Sequence, residues 1–411
     1  MRGLRAVAVA YAAGCREQGG YTVHVALRLS APGGGRPASW STAMPLSWML
    51  YTDGFVGLLT STVPCLSDTC NAVHRQQQPR RCRYVDGGWF WAGREPGSRC
   101  ACTAHPFNPL TGECSTGDLT SFAMSANTTN GTSLLYSEEF TTVGACAPER
   151  LLASLPATAA GVAGFSRQTL SLPSQLASQR QFGNKFSLCL PAFATFGDTP
   201  VYLWTPNPNG PVDYTKIIRH TPLLTNPRNA GFYLPVKRIS VTWNGPDVPL
   251  SLPAGALDLD VRTGRGGVVL STVTPYAIMR PDVFRAFAQA DRISSVARVA
   301  GVKPFELCYG GTGGFAMMKR TGYDAPGIKL ELAGATGNWT ILNSNYLVNA
   351  ACVGILEMGP AGMPVDGEPA IVIGGMQLEN ILLEFDLEKR MLGFSRLLSW
   401  DLINCYSSTF L

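Results

Sequence analysis

Leu270-Ser271-Thr272-Val273-Thr274-Pro275 repeats a pattern met about 230 residues earlier, Trp40-Ser41-Thr42-Ala43-Met44-Pro45. Each copy is followed downstream by two apolar residues and glycine: Val162-Ala163-Gly164-Phe165 after the first, Val372-Ile373-Gly374-Gly375 after the second. A single S-T-x-x-P match is weak. Two pairs in the same order at matching relative positions read as a duplicated lobe, and the surrounding sequence is strand-like. Tyr21, Val23, Val25, Leu27 and Leu29 alternate with other residues, the period of a half-buried strand. Ile381 to Phe394 reads as a hairpin turning near Glu388-Lys389. Short strand-like runs separated by Gly, Pro and Asn fill the interval. Helix signals are few: Pro281 opens one over Asp282 to Asp291, with Phe284 and Phe287 on one face, and Pro173 opens a second.

With 411 residues and 45% hydrophobic composition, the chain can bury a large core in two lobes. The expected division is a poorly defined segment 1–20, an N-terminal lobe 21–217 and a C-terminal lobe 218–411. Arg2 and Arg5 precede an alanine-rich stretch that makes a poor signal peptide, so a truncated leader or a misplaced start is expected there. Net charge is +5 with 15% charged residues and no Lys/Arg block, which gives no electrostatic case for nucleic acid. No apolar run reaches the roughly 18 residues that a spanning helix needs. A protein outside the membrane is expected.

Twelve cysteines with no C-x-x-C pair fit disulfides better than zinc or a redox motif, and about six bridges follow if all of them pair. Sequons at Asn127, Asn130 and Asn338 also favour the secretory route. Cysteines crowd between Cys65 and Cys146, as in a stapled, irregular region.

The two S-T positions are where an aspartic protease of the pepsin superfamily carries D-T-G-S or D-T-G-T. Three further stretches resemble the cereal TAXI-type xylanase inhibitors and their basic-globulin relatives. They are Ala147-Pro148-Glu149-Arg150-Leu151-Leu152-Ala153-Ser154-Leu155-Pro156 leading to Gly161-Val162-Ala163-Gly164, Cys102-Thr103-Ala104-His105-Pro106-Phe107-Asn108-Pro109, and Ile371 to Arg396. The resemblance runs over nearly the whole chain from Tyr21. It implies a mostly β, two-lobed pepsin-like fold with a central cleft and few short helices. It also implies pairing of Cys308 with Cys352 and of Cys189 with Cys405. Tyr51 stands where the family has cysteine, and Cys15 and Cys100 look unmatched, so one usual disulfide is in doubt.

Aspartic proteolysis needs two carboxylates sharing one proton. By the resemblance both have become serine, at Ser41 and Ser271, and the adjacent glycines are Ala43 and Val273. No Asp-Thr-Gly or Asp-Ser-Gly stands elsewhere. The histidines His24, His74, His105 and His220 are scattered, and neither H-E-x-x-H nor G-x-S-x-G is present. Gly310-Gly311-Thr312-Gly313-Gly314 lacks the Lys-Ser/Thr ending of a phosphate loop and reads as a flexible loop. No catalytic residues, cofactor or metal are expected.

The resemblance implies a secreted monomer that plugs a microbial cell-wall glycosidase, an endo-1,4-β-xylanase. An inert storage or ligand-binding globulin is the alternative, and an active endopeptidase ranks last. The family's two contact regions map onto Phe315, Met317 and Met318, in the loop after Cys308-Tyr309, and onto Ser399 and Trp400 near the C-terminus. The family's histidine after R-L-P is missing from Arg396-Leu397-Leu398-Ser399-Trp400. Packing back onto the lobe is the competing reading for Phe315 and Trp400 alike. The acidic pair Asp366 and Glu368 reads as part of a solvated loop.

Overall fold

The computed structural model describes residues 3–4, 23–25, 61–76, 80–84, 89–92, 101–108, 111, 113–129, 136–145, 147–152, 164–206, 210–243, 245–290, 296–310, 315–318, 322–349, 352–360 and 362–408. They form two compact units. One holds the described residues up to Phe186 together with Phe193–Thr199; the other holds Ser187–Ala192 and everything described from Pro200 onward. The second unit thus begins before the boundary expected at residue 218 and takes in a segment, Ser187–Ala192, that sequence order assigns to the first. Position 41, Tyr51, Cys15, Cys100 and Asn130 lie outside the described residues, as does the glycine loop beyond Gly310.

The first unit is organised by a long antiparallel hairpin, Gly117–Thr129 with Tyr136–Ala145, in register from Thr128 opposite Tyr136 to Leu119 opposite Ala145. Phe140, Thr142 and Gly144 are buried while Thr141 is exposed, the two-residue alternation of a strand with one face on a core. Ser61–Thr62 and Thr103–Ala104 pair antiparallel with Gly117–Thr129, and Val23–Val25 pairs with it in parallel. The helix Leu172–Arg180 starts with Pro173 in its first turn, where a missing N–H costs nothing. It is tied to the hairpin by the buried Gln175. The Gln175 amide accepts from Val143 N (2.8 Å) and donates to the carbonyls of Val143 (3.1 Å) and Leu170 (2.8 Å), so a polar side chain is buried with its hydrogen bonds made. The Phe165 ring packs on Phe186 and Phe196 with centroids 5.4 and 5.8 Å apart. Phe186 and Phe196 are fully buried, and each such ring contributes about 1.5–3 kcal/mol.

Three sheets carry most of the second unit. The first runs Phe232–Leu234, Val268–Leu270, Ile371–Ile373, Ala277–Met279, Ile355–Glu357. Its inner strands Val268–Leu270 and Ile371–Ile373 are continuous apolar runs, as strands buried on both faces must be. The second orders Val248–Pro249, Val236–Thr242, Gly327–Leu332 and Trp339–Ile341. In the third, Cys308–Tyr309 lies between Arg298–Val299 and Cys352–Val353, with Leu347–Val348 outside. The helix Pro281–Ala288 buries Val283, Phe284 and Phe287, while the expected hairpin forms from Leu382–Asp386 and Met391–Phe394. The helix is shorter than the reading to Asp291. Its last turn closes at Gln289, whose N–H donates to the Arg285 carbonyl.

Candidate functional site

Ser271 follows directly on the strand Val268–Leu270, which runs parallel to Ile371–Ile373; the latter pairs antiparallel on its other side with Ala277–Met279. The chain therefore leaves the sheet at Ser271, loops, and returns as a strand two places away. The loop is stitched to the second apolar-apolar-glycine segment along its length. Ser271 N–H donates to the Ile373 carbonyl (2.9 Å), Gly375 N–H to Thr274 (2.7 Å) and Met376 N–H to Pro275 (2.9 Å). Gly374 is required by contact: a Cβ there would lie 2.3 Å from the carbonyl carbon of Tyr276 and 2.4 Å from its oxygen. The two echoed motifs of the second lobe are therefore one structural unit.

At its tip the Ser271 hydroxyl accepts from the N–H of Val273 at 3.2 Å. A hydroxyl in that place is neutral near pH 7, so it neither activates water as a base nor shares a proton with a second acid. Val273 puts a branched side chain, half-buried, on the residue that closes this turn.

The residue that the sequence reading missed is Glu379, just after the short helix Gly375–Leu378. Burial pushes its carboxyl up to about 7. Burial also raises the phenols of Tyr276 and Tyr406, and the Glu379 charge raises them further. The backbone here is pinned by two buried amides. Asn345 Nδ2 donates to the carbonyls of Met376 (3.1 Å) and Glu379 (2.7 Å), and Gln377 Nε2 donates back to Asn345 (2.8 Å) and to Gly354 (3.1 Å). The signal in the sequence was an acidic residue four positions after the Gly374-Gly375 pair, close to the apolar runs Ile371–Ile373 and Ile381–Leu383.

The predicted contact residues are placed separately. Phe315 is half-buried and meets Tyr309 and Trp243 edge-on, with centroids 6.0 and 6.5 Å apart, so it packs on its own unit. Met317 lies in a two-residue strand opposite Tyr323. Ser399 and Trp400 belong to the 3-10 turn Leu398–Asp401. The Ser399 hydroxyl is shielded from solvent and has no hydrogen-bond partner among the described residues, whereas Trp400 is 42% exposed. Asp401 anchors the turn, accepting from Tyr214 Oη (2.9 Å) and from Arg396. Trp204 and Tyr406, 56% and 47% exposed, stand on segments joined by a bond from Trp204 N–H to the Ser407 carbonyl (2.6 Å). Exposed Leu402 and Ile217 belong to the segments beside Asp401 and Tyr214.

Disulfides join Cys189 to Cys405 and Cys308 to Cys352, and a further one joins Cys70 to Cys102. Cys114 is also disulfide-bonded. Of the sequon residues, Asn338 is half-buried just before the strand Trp339–Ile341, with its carbonyl accepting from Arg219, and Asn127 lies in the long strand opposite Ser137. Glu368 pairs with Arg265, and the Asp366 carbonyl accepts from Asn229 (3.0 Å).

Comparison with known families decides what this architecture is. A family model described as "Xylanase inhibitor N-terminal" matches residues 58–198, and one described as "Xylanase inhibitor C-terminal" matches residues 231–396. The chain belongs to the TAXi xylanase-inhibitor family. A relative from Oryza sativa subsp. japonica, named "Chitinase CLP", is 36% identical over 398 residues, covering 92% of this chain and 86% of that protein. Among solved structures, edgp superposes on this chain with a TM-score of 0.71 at 27% identity, covering 87% of each chain. Conglutin gamma, titled a basic 7S globulin from lupine seeds, gives 0.63 at 26% identity over 85% of each. The fold is therefore the mostly β, pepsin-like fold of the TAXi and basic-globulin branch.

Proposed function

We propose that this chain is a catalytically inert, secreted pepsin-fold protein that binds a microbial endo-1,4-β-xylanase and blocks its cleft. The observation that carries the reading is the Ser271 turn. It keeps the backbone stitching to Gly374 and Gly375 but presents a hydroxyl, where a peptidase of this fold needs a carboxylate. The descriptions of both matching family models supply the partner class. Ser41 would complete the loss in the other lobe. The disulfides and the sequons Asn127, Asn130 and Asn338 support an extracellular, glycosylated protein, which in this reading acts as a monomer in plant defence.

The docking residue of this reading is Trp400, whose exposed ring suits a partner surface better than the turned-in hydroxyl of Ser399. Phe315 and Met317 would contribute from their own, separate loop. The purified protein, titrated into a retaining endo-xylanase with casein at acid pH and colloidal chitin as parallel substrates, tests this directly. Inhibition of the xylanase with neither casein nor chitin cleaved is the expected result. Cleavage of casein would end the reading, and cleavage of chitin would transfer to this chain what the rice relative's name says of that protein.

A second reading, an inert storage or ligand-binding globulin, is supported by the lupine structure. It predicts no inhibition of any xylanase in a panel.

A further inference from the structure

The helix Asp68–Gln76 carries Cys70 and His74 four residues apart, so the two side chains project from the same face. Cys102, just before the strand Thr103–Ala104, is bonded to Cys70, with the two Cα atoms 5.6 Å apart. Both sulfurs and one imidazole nitrogen of His74 lie within 4.8 Å of one another. Among the described residues this is the one place where three side chains of metal-ligating type converge so closely. Cys70 and Cys102 are 1% and 0% exposed in an apolar cluster with Val63, Ala104 and Leu119, while His74 is half-buried.

We propose that Cys70, His74 and Cys102 form a redox-gated metal site, closed while the disulfide stands and able to hold a zinc ion once a dithiol has opened it. In the opening step a thiolate of the dithiol attacks one sulfur and forms a mixed disulfide. The second thiol of the reductant then closes on it and leaves as a cyclic disulfide. Two electrons pass to the cysteine sulfurs, which take up two protons. Binding zinc displaces those two protons, so uptake strengthens as pH rises. Tetrahedral zinc with Zn–S near 2.3 Å and Zn–N near 2.0–2.1 Å sets ligand atoms about 3.5–3.8 Å apart, inside the spread already present here. The sulfurs reach that spacing by side-chain rotation. Charge favours the same ion: two thiolates and a neutral imidazole cancel Zn²⁺, so the complex enters its apolar surroundings without net charge. Water takes the fourth position. Among the described residues, the disulfides Cys189–Cys405 and Cys308–Cys352 have no third ligand beside them, and they serve as internal controls.

The test uses the full chain, opened with limiting dithiothreitol, freed of reductant without oxygen and incubated with zinc chloride before alkylation and mass spectrometry. Zinc should slow alkylation of Cys70 and Cys102 by at least roughly tenfold, and leave any opened Cys308 or Cys352 unaffected. His74→Gln, with the disulfide map and circular dichroism of the wild type before reduction, should lose at least roughly tenfold in zinc affinity. Cobalt(II) in place of zinc should give the wild type a thiolate-to-metal charge-transfer band. Equal alkylation with and without zinc overturns the site. So does shielding that is unchanged in His74→Gln, and so does a Cys70–Cys102 bond that the dithiol leaves closed in the folded chain.

Discussion

Gly374 and Tyr276 are in backbone contact, with no room between them for a single carbon atom. Unlike a crowded side chain, the carbonyl of Tyr276 cannot rotate away, because Ala277–Met279 is held in the ladder against Ile371–Ile373. Gly374→Ala must therefore part the two strands at the centre of the second unit. The expected cost is about 3 kcal/mol or more, the upper end of overpacking. Urea unfolding of the full chain reads this as a lowered midpoint, and an unchanged midpoint would show that the segment yields more easily than its hydrogen bonds imply.

Glu379 makes stability depend on pH. Its carboxyl holds a proton up to about 7 in the folded chain, against about 4.3 in an unfolded one. Between those values the folded state binds more protons, so its stability is fullest below about pH 4.3 and falls as pH rises through 7. Glu379→Gln, which keeps the shape without the charge, should leave stability near pH 4 unchanged and raise it by about 2–4 kcal/mol at pH 8. Thermal melts of both proteins at the two pH values decide it. A variant no more stable than wild type at pH 8 would mean that Glu379 is solvated when charged.

The Cys308–Cys352 disulfide links residues directly opposite in the ladder and closes a loop with a sequence separation of 44. Chain-entropy reasoning gives such a loop about 4 kcal/mol. Replacing both cysteines by alanine should lower the unfolding free energy by an amount of that order. A loss under about 1 kcal/mol would place the stability of this sheet in Tyr309, Val353 and the apolar core instead.

Restoring acids should not restore a peptidase. Ser41→Asp with Ser271→Asp supplies two carboxyl groups, but Val273 still closes the turn at Ser271 with a branched side chain. Misplacement by about 1 Å is enough to cost a hundredfold. Casein cleavage at acid pH, with and without pepstatin, measures this; efficient, pepstatin-sensitive cleavage by the double variant would show the cradle to be intact.

The second lobe was legible because its signals are local. Ser271 and Gly374 stand in motifs that recur at a fixed order, Pro281 marks a helix start, and apolar runs flank a turn at Glu388-Lys389. The cysteine partners Cys189 and Cys405 came from family resemblance; spacing alone leaves connectivity open. What escaped the sequence depends on contacts between distant segments. The inward turn of the Ser399 hydroxyl is one example and the burial of Glu379 is another; packing of Phe315 back onto its lobe was a reading the sequence left open, but its partner Trp243 could not be read. The meeting of His74 with Cys70 and Cys102 was half visible: the four-residue spacing on a helix can be read, but the arrival of Cys102 beside it cannot. Ser187–Ala192 likewise groups with the second unit while residues on both sides of it group with the first, a division that rests on distant contacts.

The most direct test of the account is a titration of a retaining endo-xylanase by the wild-type protein and by Trp400→Ala, with Ser399→His alongside. A retaining glycosidase holds its two carboxyl groups about 5–5.5 Å apart, and an imidazole reaching them gains a charge-assisted bond of about 1.5–3 kcal/mol, tenfold or more in affinity. The account predicts inhibition by the wild type that weakens at least roughly tenfold on removing the Trp400 ring, the loss expected of an interface anchor, and strengthens in Ser399→His once the longer side chain turns outward. Absence of inhibition across xylanases would contradict the inhibitor reading, and tight inhibition indifferent to both substitutions would contradict the placing of the docking surface at this turn.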